Sequence, residues 1–247
     1  MRRPVAPADI AAPSRWRRAA AWAVHVYTAL GAVLALVGID LAAAGDARGA
    51  FAAMYLATVI DSTDGWLARL ADVKRLTPRF DGARLDDIVD YLTFTFLPAY
   101  AILAFGLVPS AWTLPVVAAV LLSSAYGFAA ADAKTPDHFF TGFPSYWNIV
   151  VFYLYAGHVP RGANIVVLLA CAALVFVRIG YVYPSRTPVL RGLTIGLGVA
   201  WGLLILEALR RLPARSPGLL AVSLVFPAYY VVLSIVLHRR RATVRCA

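Results

Sequence analysis

Long apolar runs alternate with short polar connectors along this chain, and the runs set the predicted elements. The hydrocarbon core of a bilayer takes about 20 helical residues to cross. Runs on that scale predict eight spans, at roughly 21–44, 49–70, 82–108, 112–131, 146–158, 164–183, 189–209 and 219–238. The first ends at a Gly45-Asp46 turn, the third stops before Pro109, and the fifth is the shortest. Between the second and third lies a basic connector with Lys74, Arg75, Pro78 and Arg79, predicted as a short interfacial helix or loop. A polar, aromatic connector with Asp132, Lys134, Asp137, His138, Phe139 and Phe140 precedes the fifth. The expected architecture is all-α and polytopic: a basic arm over 1–20, one membrane domain over 21–238 and a basic tail over 239–247. No internal repeat or low-complexity linker interrupts it.

Composition agrees with the pattern. The 247 residues are 61% hydrophobic and 15% charged, with mean hydropathy +0.73. Soluble domains average about 45–50% apolar and about 25% charged. Cys171 lies inside an apolar run and Cys246 near the end of the chain, so no disulfide framework is expected and both read as free thiols. Residues 1–20 hold five arginines and three prolines but no apolar core, which predicts no cleavable signal peptide.

The net charge of +10 points to membrane topology and anionic lipid rather than to nucleic acid, because no soluble basic domain is present to hold a nucleic acid. With eight spans, 18 of the 23 basic residues fall on the side of both ends and of the 70–81 connector. The other five are Arg48, Arg161, Arg210, Arg211 and Arg215. The excess predicts that both termini and that connector face the cytoplasm. The cluster Arg210, Arg211 and Arg215 runs against the rule, and nothing in the sequence accounts for it.

The polar residues that change the picture are acids. Residues 61–90 hold seven of the 13 Asp and Glu residues, although apolar segments enter and leave this stretch. Carboxylates at membrane depth are costly unless they pair or bind cations. Asp61 and Asp64 stand three residues apart, and Asp86 and Asp90 four apart, so on helices each pair shares a face. Gly65 lies one turn before Arg69, and Gly82 one turn before Asp86. Two such helix ends facing each other would converge four carboxylates, whose repulsion a pair of hard divalent cations relieves. Oxygen ligands suit Mg²⁺ or Mn²⁺, and two ions about 3.5–4 Å apart form the clamp of in-line phosphoryl displacement. The glycines leave room for a diphosphate beside the backbone. Asp72, Asp81 and Asp87 lie off the shared faces and read as solvated loop acids.

Asp61-x2-Asp64-Gly65-x2-Ala68-Arg69, twelve residues, then Gly82-x3-Asp86-x3-Asp90 resembles the signature of the CDP-alcohol phosphotransferases. The twelve-residue gap and the flanks KRLTPRFDGARLDDIVDYLTFTFLPAY and FPSYWNIVVFYLY are similar to the bacterial phosphatidylcholine synthase branch. The resemblance implies that Asp61, Asp64 and Asp86 ligate two divalent metals (Mn²⁺ or Mg²⁺), with Asp90 both ligand and general base. It implies that Gly65, Ala68, Arg69 and Gly82 line the CDP-diacylglycerol site. The implied reaction moves the phosphatidyl group of CDP-diacylglycerol to choline, giving phosphatidylcholine and CMP at the cytoplasmic face of a bacterial inner membrane. Membrane lipid and a homodimer partner belong to the same expectation.

Choline is a quaternary ammonium, and aromatic faces bind such cations. Tyr146 and Trp147 are the first candidates, because they stand where a connector enters a span. Tyr and Trp also favour membrane interfaces for reasons unrelated to ligands. His25 and His158 read as packing or interfacial residues, with no metal-ligand spacing between them. Two other readings remain: the same chemistry on serine, glycerol phosphate or inositol phosphate, and a divalent-cation transporter, since intramembrane acids also mark ion pathways.

Overall fold

A computed structural model describes residues 14–135, 137, 139–184 and 187–245, with side chains to residue 241. The arm residues Arg2 and Arg3, and His138, Arg186 and Cys246, lie outside the described residues.

The chain opens with a helical hairpin. Helix α1 (Arg15–Ala43) is capped by Ser14, and α2 (Ala47–Leu70) by Asp46, whose carboxylate accepts from Gly49 N. Gly45 takes φ +78° in the turn between them, a conformation open to glycine and strained for other residues. The facing surfaces are small: Ala35, Gly38 and Ala42 on α1 are buried, as are Ala50, Ala53 and Ala57 on α2. Small residues let membrane helices approach closely. A short α3 (Val73–Leu76) comes next, within the basic connector.

The third predicted span is one continuous rod built from three pieces: α4 (Gly82–Asp90), a π-helical segment (Tyr91–Phe96) and α5 (Leu97–Ala104). It packs along α1 through the glycines of that helix. A Cβ on Gly31 would lie 2.4 Å from Val89 Cγ1, and one on Gly38 would lie 2.7 Å from Leu97 Cδ2. Beyond it lie α6 (Ser110–Ala129), α7 (Trp147–Ala156), α8 (Arg161–Val175), α9 (Arg191–Arg211), α10 (Pro217–Ser223) and α11 (Val225–Arg245). The core gathers Leu97, Ile102, Val116, Val120, Trp147 and Leu168, joined by rings of Phe51, Phe105, Phe152 and Tyr155 in mutual contact.

Among the described residues, five helical rods are long and apolar enough to cross a bilayer: Arg15–Ala43, Gly82–Ala104, Ser110–Ala129, Arg191–Arg211 and Pro217–Arg241. The other three predicted spans fall on α2, α7 and α8. Helix α2 has the length but also carries Arg48, Asp61, Asp64 and Arg69. Helices α7 and α8 have 10 and 15 residues, so they rise only about 15 and about 22 Å. The apolar runs that predicted them are real, but much of that apolarity serves protein packing: Trp147, Val151, Phe152, Leu154 and Leu168 are all buried. Leu114, Leu122, Val166 and Leu203, by contrast, point outward.

One element was not expected in an all-α chain. Strands β1 (Phe139–Thr141) and β2 (Gly180–Val182) pair antiparallel, with Phe139 opposite Val182 and Thr141 opposite Gly180. Helix α11 holds the outer edge of β2 through side chains: Ser234 Oγ accepts from Val182 N (3.1 Å), His238 Nδ1 accepts from Gly180 N (3.1 Å), and Tyr230 Oη donates to Val182 O (3.0 Å). Arg241 pairs with Asp137 and lies over the Phe139 ring. Part of the outlying basic cluster also acquires a role, since Glu207 bonds Arg211 (2.8 Å) and lies 4.0 Å from Arg210.

Candidate active site

The acidic site is built from the last turns of α2 and the whole of α4. Helix α4 starts at Gly82 because Asp81 caps it, its Oδ1 accepting from Ala83 N (3.1 Å) and Arg84 N (3.2 Å). Asp81, read from sequence as a solvated loop acid, is therefore an N-cap. Counting from that start, Asp86 and Asp90 share the face turned toward α2.

Helix α1 braces the two halves. Thr28 Oγ1 donates to Asp64 Oδ2 (2.8 Å), and Tyr27 and Thr63 share a hydrogen bond (2.9 Å). His25 Nε2 lies 2.9 Å from Thr77 Oγ1, whose own proton goes to Val73 O (2.9 Å), so His25 is the donor of that pair. His25 is thus the packing residue that the sequence suggested. Gly82 is needed on this side, because a Cβ there would come within 2.9 Å of His25 Cε1.

Carboxylate oxygens of Asp61, Asp86 and Asp90 lie within 4.8 Å of one another, and none of the three is fully buried. That spread is on the scale of a hard cation's coordination shell, whose oxygens stand about 2.0–2.6 Å from the ion. All three donors are carboxylates, which fits Mg²⁺ or Mn²⁺ and disfavours softer metals. Asp64 is 7% exposed, accepts the Thr28 hydroxyl and meets Asp86, so it lies beside the triad as well as against α1.

The remaining candidates divide. Arg69 is exposed, and a Cβ on Gly65 would stand 3.5 Å from its guanidinium, so the glycine leaves an open approach there. Ala68 packs beside Ala21, Val73 and Leu76. Tyr146 is half-buried, its ring 6.0 Å from that of Tyr230, and it lies within electrostatic reach of Asp61 and Asp90. Trp147 is wholly buried in the core; its Nε1 donates to Ser124 Oγ (2.6 Å) and its ring meets Phe143. That packing leaves Trp147 no free face for a cation, and it removes the geometric case for pairing it with Tyr146.

Sequence reasoning passed over Lys134. Its Nζ donates to Asp87 Oδ1 (2.9 Å) and stands 3.9 Å from Asp86 Oδ2. Burial works against the charge, but the Asp87 hydrogen bond and the charges of Asp87 and Asp86 outweigh it, holding the Lys134 pKa above the ordinary lysine value. Asp87, read from sequence as a solvated acid, is the anchor of that ammonium. No local signal could have found the pair, since 47 residues separate the partners.

No family model matches the chain. Curated relatives do. A phosphatidylcholine synthase of Legionella pneumophila is 45% identical over 168 residues, 68% of this chain and 66% of that protein. One of Pseudomonas aeruginosa is 35% identical over 218 residues, 87% of this chain and 90% of that protein. One of Rhizobium meliloti is 34% identical over 211 residues, 85% and 87% of the respective chains. The match spans just under two thirds of the Legionella pneumophila protein and 62% of a second from Legionella bozemanae.

Proposed function

The chain belongs to the phosphatidylcholine synthase family, and from that premise we propose that it transfers the phosphatidyl group of CDP-diacylglycerol to choline, forming phosphatidylcholine and releasing CMP. The observation that carries the reading on this chain's own residues is the convergence of Asp61, Asp86 and Asp90. The signature at 61–90 supports placing the family among the CDP-alcohol phosphotransferases.

Asp61, Asp64, Asp86 and Asp90 would hold two divalent cations, Mg²⁺ or Mn²⁺, with Asp64 turning from Thr28 to complete the set. When bound, the cations supply positive charge to the diphosphate and its developing negative charge. Arg69 adds charge-assisted hydrogen bonds to phosphate oxygens along the side that Gly65 leaves open. Gly82 and Ala68 keep the surrounding helices close. Asp90 accepts the choline hydroxyl proton. The freed oxygen bonds to the phosphorus that bears diacylglycerol, and the bond from that phosphorus to the CMP oxygen breaks, the electron pair leaving with CMP. Tyr146 offers an aromatic face beside the acids for the trimethylammonium group.

The basic excess around the acidic site supports a cytoplasmic face and a bacterial inner membrane, where a lipid nucleotide and a soluble alcohol can meet. The test is CMP release from CDP-diacylglycerol by purified protein. Release is expected only with choline and a divalent ion together, and a chelator should abolish it. Release with serine, glycerol phosphate or inositol phosphate but not choline would replace the acceptor. Cation flux in vesicles without any CMP would replace the reaction itself.

A further inference from the structure

Lys134 stands at the edge of the acidic triad on a connector fixed by its own bonds. Lys134 and Phe140 form a β-bridge, Ala133 O accepts from Thr141 N (3.0 Å), and Thr135 N donates to Phe139 O (2.8 Å). Asp132 pairs with Arg178 on the other side. The backbone that presents the ammonium is therefore placed, and 46% of the side chain remains open to solvent.

A lysine ammonium has three donors. Asp87 takes one, at 2.9 Å, and Asp86 lies farther off, at 3.9 Å. Asp87 also lines an open groove of about 430 Å³ between α4, the π segment and α6. Ile88, Tyr91, Leu92, Phe128 and Ala129 also line that groove, so its surface is apolar apart from Asp87. Tyr91 on its wall is fixed by its hydroxyl, which donates to Leu121 O (3.1 Å). An open apolar groove bordered by Asp87, which itself holds the Lys134 ammonium, beside a carboxylate cluster matches one kind of ligand: a phosphate that carries acyl chains.

We infer that Lys134 is a phosphate-binding residue of this site, taking the diacylglycerol-linked phosphate of the substrate while an acyl chain lies along the groove. The inference rests on the phosphatidyl-transfer reading and extends it to a residue outside the 61–90 signature. Cations held by Asp61, Asp86 and Asp90 would compete with Lys134 for the Asp86 carboxylate, which would leave the ammonium donors that Asp87 does not take to the phosphate. Asp87 keeps the ammonium in place as a point charge.

The full-length protein in neutral-lipid vesicles is compared with Lys134→Gln, which can still donate to Asp87 but carries no charge, and with Lys134→Arg. Loss of one charge-assisted contact should raise the KM for CDP-diacylglycerol about tenfold in Lys134→Gln. The KM for choline should stay near the wild-type value, and Lys134→Arg should recover most of the loss. In Mn²⁺-loaded protein, the rise in melting temperature caused by CDP-diacylglycerol should shrink in Lys134→Gln, while Mn²⁺ alone still stabilises both. An unchanged KM for CDP-diacylglycerol, a change in the choline KM instead, or an undiminished melting response would overturn the inference. Phosphatidylglycerol added to the vesicles separates the substrate phosphate from bulk lipid phosphate. If it stabilises wild type and not Lys134→Gln, the residue serves the bilayer and the inference fails. Should Lys134→Gln not fold, Lys134→Arg decides: a near-normal KM for CDP-diacylglycerol supports the role, and a tenfold rise ends it. Wild-type protein that releases no CMP with choline would sink the acceptor reading, whereas the melting response to CDP-diacylglycerol would still test Lys134.

Discussion

Asp90 differs from its neighbours in the triad by the backbone on its C-terminal side. The chain turns from α-helix to π-helix at Tyr91, and π segments inside helices are frequent at functional sites. The wider turn is partly satisfied locally, as Thr93 Oγ1 donates to Val89 O (2.9 Å), yet Thr95 Oγ1 is buried without a partner. Among the triad, Asp90 is the residue proposed to move a proton. Asp90→Asn keeps the shape and removes the base, so CMP release should fall about a hundredfold or more, with the protein still folded by thermal unfolding. Near wild-type turnover in that variant would take Asp90 out of the proton-accepting role. Asp64 is also tied to α1 through Thr28, and Asp87 to Lys134. Residues that look equivalent in the sequence are thus sorted by single hydrogen bonds.

Helix α1 carries none of the signature, yet it sets the geometry of both halves. It reaches Asp64 through Thr28 and Thr77 through His25, and it lets α4 lie close by having no side chain at Gly31. The contact at Gly31 is one residue from Asp90. Gly31→Ala puts a methyl group 2.4 Å from Val89 Cγ1, so the Val89 side chain or α4 must give way. Overpacking of this kind costs about 1–3 kcal/mol. A lowered melting temperature with lost activity is expected, and Val89→Ala in the same chain should restore both. Full activity in Gly31→Ala alone would mean that α1 does not set the position of α4. The two-stranded sheet has a comparable dependence on α11, whose Tyr230, Ser234 and His238 bond its edge strand. A two-stranded hairpin alone is marginal in water, and an unpaired strand edge is costly away from water. Side chains from a neighbouring helix satisfy it here.

For the molecule as a whole, the question is which way it faces. Five rods meet the length and apolarity needed to cross, and exposed Leu114, Leu122 and Leu203 on them suit lipid contact. The proposed cytoplasmic face holds Arg75 and Arg79 near the acidic site, and Arg215 belongs to the opposite one. Single cysteines at positions 79 and 215, in a chain with Cys171 and Cys246 replaced by Ser, test this in intact cells. An impermeant maleimide should label position 215 once the outer envelope is opened, and position 79 only after the inner membrane is permeabilised. The reverse pattern would place the site on the wrong side for a cytosolic nucleotide product.

Properties that add up along the chain were legible from the sequence alone. Burial in lipid depends on the summed apolarity of about 20 successive residues, so the membrane class and the helical rods could be read directly. The spacing of Asp61 with Asp64, and of Asp86 with Asp90, takes its meaning from the 3.6-residue turn and needs no partner to be known. What tertiary structure alone decided is everything that depends on a distant partner. It tied Asp64 to α1 through Thr28, bonded Lys134 to an acid 47 residues away, buried Trp147 against Ser124, and cut two apolar runs into helices too short to cross alone. An apolar side chain is equally at home against lipid or against protein, and an acid is equally able to cap a helix, pair with a lysine or hold a cation. Sequence supplies the group, and only its neighbours in space choose among those roles.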